Sequence, residues 1–363
     1  MKLFVCSVCR NLLYFDNVFC GRCGAQLGFL PDRTAMAALA SAGQTLWSPV
    51  GDDGLYRLCA NYVDHGVCNW MVHADDDTRF CVSCRLNRTI PDLRYKNNKA
   101  LWQTLEAEKR WLLYSLLRLG LAVEPLSQVS WGLAFDFLAE AEPTFHEHGR
   151  VLTGHSQGLI TLNIAEADPV VRERMRNDMA EPYRTVLGHF RHESGHYYWD
   201  RLVRDGSWLE PFRALFGNET RNYGQALDAH YRAGPPADWT NRFISAYAST
   251  HPWEDWAESW AHYLHICDTL ETAFAFGLRM QPRLAKSDIL DVSTDIDAYD
   301  HEDFQRVIAH WFPLTLALNS LNRSMGHEHA YPFVLAPKVI DKLGFVHRVV
   351  RASRQPSGPS IKA

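Results

Sequence analysis

What this chain of 363 residues lacks narrows its reading first. No stretch approaches the roughly 20 consecutive apolar residues of a membrane-spanning helix. The N-terminus, Met1 to Cys6, has neither the apolar region nor the small-residue cleavage site of a signal peptide. Charge of one sign is missing too. The 37 Lys and Arg against 42 Asp and Glu leave a net charge of −5, which argues against a broad nucleic-acid-binding or membrane-surface role. A cytoplasmic protein with no membrane partner is the expectation. Cysteine is nearly absent beyond residue 84, where Cys267 stands alone in an apolar context as a buried small hydrophobe. The other eight cysteines crowd into the first 84 residues, and in a reducing compartment that clustering reads as metal ligation rather than disulfides. With 47% hydrophobic residues, the chain can bury one large core or two unequal ones.

Cys6-x2-Cys9 and Cys20-x2-Cys23 form two knuckles, each offering a pair of thiolates from a tight turn. Together they make the all-sulfur tetrahedral site that suits Zn²⁺, and Leu12–Phe15 between them reads as the short strand of a zinc ribbon. A second quartet follows in Cys59, Cys68, Cys81 and Cys84; its first spacing is irregular, and His65 and His73 are rival ligands. Segments this poor in aliphatic residues need metal to fold, so both zincs are expected to be structural. Residues 1–96 carry ten Lys or Arg against nine Asp, so a docking surface for a protein partner is favoured over a phosphate track.

Asn97-Asn98 marks a boundary, after which Ala100–Leu119 repeats leucines at helical spacing as a core helix. Val129–Phe137 and Val151–Ile164 read as strands. Gly158–Asn163 is either an edge strand able to pair with an extended peptide or an ordinary internal strand, and Asp168-Pro169 caps the helix that follows. The chemistry concentrates in His192-Glu193-Ser194-Gly195-His196, an HExxH motif. On a helix, residues four apart share a face, so both imidazoles can bind one zinc while Glu193 reaches a water as general base. The helix is expected to start near Pro182 and run to about Arg204. His189 is assigned a hydrogen-bonding role, and Asp200 either orients a ligand or pairs with Arg204.

A catalytic zinc needs a third protein ligand and an open position. Pro252 starts a helix carrying Glu254 and, one turn later, Glu258 on the same face. One carboxylate can bind the zinc while the other accepts a hydrogen bond from a ligand imidazole. The pattern resembles that of the glutamate zincins (gluzincins), which implies that Glu254 is the ligand and Glu258 its supporting partner. Interleaved Trp253, Trp256 and Trp260 point to burial. Tyr247, seven residues before Glu254, either donates a hydrogen bond to an oxyanion, with His251 and His262 as rivals, or is a plain core tyrosine. A tyrosine followed by ExxAE resembles the lethal factor of anthrax toxin.

Taken together, the chain from Cys6 to about His347 resembles the bacterial family of zinc-binding metallopeptidases with an N-terminal zinc ribbon. The resemblance rests on Cys6–Cys23, Cys81–Asp92, Gly158–Asn163, Phe190–Trp199, Trp253–Glu258, Asn322–Gly326 and Tyr331–Val334. It implies an α+β fold. A double zinc-ribbon domain over 1–95 precedes a mainly helical, zincin-like domain with a small sheet over 98–350, and 351–363 form a disordered tail. Trp311–Asn322 and Val339–Val350 are expected helices, and His327-Glu328-His329 a loop. One catalytic and two structural Zn²⁺ are implied, with hydrolysis of a peptide or protein substrate. Two other readings are a zinc-ribbon binding protein, for protein or nucleic acid, with a vestigial zincin core, and a zinc amidohydrolase acting on a non-peptide substrate.

Overall fold

The computed structural model describes residues 2–140, 153–178, 185–283, 290–293 and 295–354. The chain divides into two compact units, residues 2–190 and 191–363. The fold is α+β: a cysteine-bearing N-terminal region followed by mostly helical chain with small sheets.

In residues 2–190 the first knuckle, Cys6 and Cys9, lies in the turn of a hairpin of β1 (Phe4–Val5) and β2 (Leu12–Leu13), and Cys20 and Cys23 follow it. A five-stranded antiparallel sheet begins after the first cysteine set and ends inside the second, in the order β3 (Leu27–Leu30), β4 (Ala35–Ser41), β5 (Trp47–Pro49), β6 (Tyr56–Leu58), β7 (Met71–His73). A bridge from Phe29 to Trp70 brings β3 back against β7. Leu30, Ala37, Leu39, Tyr56 and Met71 make a buried cluster inside it. The region thus carries a buried apolar cluster alongside its cysteine sets. Leu30, Ala37 and Leu39 of that cluster come from β3 and β4, and Tyr56 and Met71 from β6 and β7.

The long gap between Cys59 and Cys68 is filled by helix α1 (Ala60–His65), closed by Gly66 in the left-handed conformation at φ 69°. One of the two pairs thus comes from the ends of a helix instead of a knuckle. A longer helix, α2 (Asn98–Arg118), buries Leu105, Leu112 and Leu116 as its spacing predicts. Three charges between those leucines are buried as well: Glu106 and Lys109 pair at 3.0 Å, and Arg110 donates to the carbonyl of Val67 at 2.6 Å. Each of these groups satisfies another, which is what lets them leave water.

The second sheet runs β10 (Gly154–Ser156), β11 (Leu159–Asn163), β9 (Ala134–Leu138), β8 (Asn87–Thr89). β10 and β11 form a hairpin over Gln157 and Gly158, whose φ values of 49° and 83° are those of a two-residue primed turn. The candidate edge strand is thereby corrected. β11 pairs with β10 on one side and β9 on the other, so its backbone offers no free edge. Asp168 caps α3 (Pro169–Asp178) through bonds from the amides of Val170 and Val171 at 2.7 and 3.2 Å.

The HExxH segment lies on α4 (Val186–Trp199), continued as a π-helical turn from Asp200 to Arg204. Pro182, its expected start, lies outside the described residues. Within residues 191–363, α5 (Leu209–Phe216) and α6 (Tyr223–Ala233) precede α7 (Pro252–Ala275), which is buried along most of its length. A hairpin of β12 (Arg279–Met280) and β13 (Val292–Ser293) leads to α8 (Phe304–Ser324) and α9 (Pro337–Ala352). α8 starts seven residues before the expected Trp311 because Asp303 caps it and the helix tolerates Pro313. Arg351, placed in the disordered tail by sequence, closes α9 by donating to the Tyr299 carbonyl at 2.7 Å; residues 355–363 lie outside the described residues. Among the described residues no helix is long and apolar enough to cross a membrane.

Candidate metal centres

The two cysteine quartets assemble as their spacing predicts. Cys6, Cys9, Cys20 and Cys23 bring their sulfurs together, as do Cys59, Cys68, Cys81 and Cys84. Sulfur separations are 3.8 Å for Cys6–Cys23, 3.6 Å for Cys9–Cys20 and 3.7 Å for Cys68–Cys81. Four thiolates about 2.3 Å from one Zn²⁺ stand about 3.8 Å apart along the tetrahedron's edges, so the quartets fit zinc. A disulfide would need about 2.05 Å. The rival histidines are engaged elsewhere: His65 packs edge-on against Trp102, and His73 against Tyr56. Near the second quartet, burial alone would lower Arg110, but Cys68, Glu106 and Cys84 hold it above the ordinary guanidinium value. A cation beside sulfur is what a site of four negative thiolates requires.

A cavity of about 390 Å³ opens beside β8, lined among others by Asn61, Arg85, Asn87, Arg88 and Gln128. Its arginines are already paired with Asp76 and Asp136, so no free cation faces it.

The third set joins α4 to α7. His192 and His196 present their Nε2 atoms 3.2 Å apart. Oε2 of Glu254 stands 3.0 Å from the first and 3.5 Å from the second. Ligand atoms about 2.0–2.1 Å from a tetrahedral ion stand about 3.3 Å apart, so this triangle also fits zinc. Oε2 is buried and makes no hydrogen bond of ordinary geometry, an arrangement that costs free energy unless a cation answers it. Burial would depress His192, but Glu254 and Glu258 hold it well above the usual imidazole range, while the two imidazoles hold buried Glu254 well below the carboxylate range.

Glu258 lies on the other side of the same imidazole. Its Oε1 is 2.7 Å from Nδ1 of His192, which leaves Nε2 to face Glu254, and its Oε2 accepts from the Ser245 hydroxyl at 2.6 Å. The swapped pairing, with Glu258 among the Nε2 atoms, is not the arrangement found. Glu193 is buried next to His192. The ring of Tyr247 lies 6.0 Å from that of His192. Its rivals point elsewhere: His251 caps α7 through a bond from the Trp253 amide and faces the Arg221 carbonyl, and His262 faces the Tyr331 hydroxyl at 2.8 Å. His189 faces Glu166 at 2.6 Å, and Asp200 pairs with Arg204 at 2.9 Å. His327, Glu328 and His329 lie in an exposed loop.

Why the ligands converge is answered by residues with no ligand role. A Cβ at Gly195 would stand 2.9 Å from Cα of Ala257, so α4 and α7 touch there backbone to backbone. Trp256 donates to the Gly195 carbonyl at 2.9 Å, and Trp260 to the Ser194 hydroxyl at 3.1 Å. The unspecified positions of HExxH and the alanine of ExxAE are thus the seam that sets the distance between the motifs. Sequence reading also missed Tyr223, whose phenol donates to Oε1 of Glu254 at 2.8 Å. It lies 31 residues from Glu254 on another helix, with no motif to mark it.

Residues 98–349 match the family described as "putative zinc-binding metallo-peptidase", and residues 3–95 match a zinc-ribbon domain. The chain is 43% identical over 352 residues to an uncharacterized protein of Mycobacterium tuberculosis (strain ATCC 25618 / H37Rv), covering 96% of this chain and 95% of the relative. An uncharacterized protein of Mycobacterium bovis (strain ATCC BAA-935 / AF2122/97) is similar to the same extent, at 43% identity over 96% and 95% of the two chains. No solved structure matches. With a zinc-ribbon region at its N-terminus and the HExxH and ExxAE motifs on helices that meet, this chain belongs to the family of zinc-binding metallo-peptidases.

Proposed function

We propose that the protein is a cytoplasmic zinc peptidase acting on peptide or protein substrates. His192, His196 and Glu254 would hold one zinc, and the two cysteine quartets would hold structural zincs. The observation that carries this reading is the triangle of two Nε2 atoms and Oε2 at 3.0 to 3.5 Å, its two imidazoles on the helix that also bears Glu193. Zinc bound there would supply a Lewis acid for the scissile carbonyl and lower the pKa of an attacking water. Glu193 takes a proton from that water onto its carboxylate and passes it to the nitrogen of the leaving amine. Glu258 keeps His192 in the orientation that presents Nε2. Tyr247 donates to the oxyanion. Burial and the charge of Glu254 raise its pKa far above the ordinary phenol value, which keeps the donating proton in place at working pH. The N-terminal ribbons would serve as a docking surface for a protein partner.

Glu193→Gln is expected to keep its zinc and lose peptide hydrolysis by about 100-fold or more. Hydrolysis retained in that variant would sink the base assignment. Elemental analysis should find three zincs in the wild type and two in His192→Ala/His196→Ala. Two in both proteins would remove the metal site and the peptidase reading with it.

A further inference from the structure

The Glu254 carboxylate is divided between two duties. Its Oε2 faces both imidazoles, while Oε1 accepts from Tyr223 at 2.8 Å. Tyr223 is the first residue of α6, after the capping Asn222, whose side chain accepts from the Gln225 amide. Tyr223 is 39% exposed as a residue, and its ring packs against His251 at 5.4 Å and Trp253 at 6.1 Å. The hydroxyl at the other end therefore reaches a carboxylate that is 1% exposed.

We propose that Tyr223 is a positioning residue of the metal site, holding Oε1 so that Glu254 engages the metal through Oε2 alone. The inference rests on the metal-site reading above. A carboxylate with both oxygens free can occupy two coordination positions, whereas one already committed to a phenol occupies one. Three single-atom ligands leave open the position that substrate or water requires. Tyr223 thereby sets both the affinity of the site and its coordination number. Its control is exerted from a lightly held element. Ala226 is the one buried residue of α6, and Gly217 and Gly234 bound the segment with φ of 101° and 72°, values that glycine adopts without strain.

The test uses the full chain and its Tyr223→Phe variant, which loses the hydroxyl alone. Zinc affinity of the third site is read by competition with a chelator. In a second experiment the third site is reloaded with Co²⁺ while the cysteine sites keep zinc. Expected are a 10- to 100-fold weaker third zinc, a Co²⁺ visible spectrum losing intensity as coordination number rises, and two retained structural zincs. Asn222→Ala, which loosens the start of α6 without touching the phenol, should shift both readouts the same way by less; it carries the test if the phenylalanine variant fails to fold. Equal affinity and spectrum in wild type and variant would overturn the proposal. So would weaker binding with an unchanged spectrum, since that marks a packing effect. A wild type with no third metal would instead overturn the metal-site reading and this proposal together.

Discussion

The cysteine quartets and the His192–His196–Glu254 set reach their candidate ions by different routes. In the quartets, ligands come from turns, a helix end and a short helical segment, and four thiolates close around the centre. A closed tetrahedron leaves no position for a substrate. In the other set, two regular helices supply three single atoms. Those atoms are kept in place by contacts outside the set: Glu258 behind His192, Ser245 behind Glu258, Tyr223 behind Glu254. A site with an open position cannot rely on its ligands to complete its shape, so its support must come from such surroundings.

The largest effect should come from breaking a quartet. In Cys81→Ser the hydroxyl stays protonated and cannot replace a thiolate, so one zinc and the cooperative folding around Cys59–Cys84 are expected to be lost. The scale is about 10 kcal/mol, as for structural zinc generally. Elemental analysis and thermal melting check it, and an unchanged melt would make the quartet dispensable. Gly195→Ala probes the other route with every ligand intact. Its methyl would stand 2.9 Å from Ala257 Cα, and overpacking of this kind costs about 1–3 kcal/mol. A lower melting temperature together with weaker retention of the third zinc is expected; loss of stability without loss of zinc would separate the seam from the site. The smallest effect belongs to Ser245→Ala, one step further from the ligand atoms. Zinc affinity should fall by about tenfold or less in chelator competition, with stability nearly unchanged. A loss as large as that from removing His192 would mean that Ser245 does more than hold Glu258.

The cysteine spacings, HExxH and ExxAE needed no coordinates, because each places its ligands within a turn or on one helical face. The sequence by itself therefore determined the ligand types and the local geometry of each half-site. Asp168 as a helix cap and the leucine stripe of α2 were legible for the same reason: both are relations between residues a few positions apart. What the sequence left open depends on distant pairs. The apolar cluster of the five-stranded sheet, the placement of β11 inside its sheet, the burial of Glu106 and Lys109, and the phenol of Tyr223 on Glu254 all involve partners from separate elements. Only the tertiary structure decided which carboxylate faces the two imidazoles. Glu254 and Glu258 share a helical face, and it is the close crossing of α4 and α7 at Gly195 and Ala257 that sets one against Nε2 and the other against Nδ1.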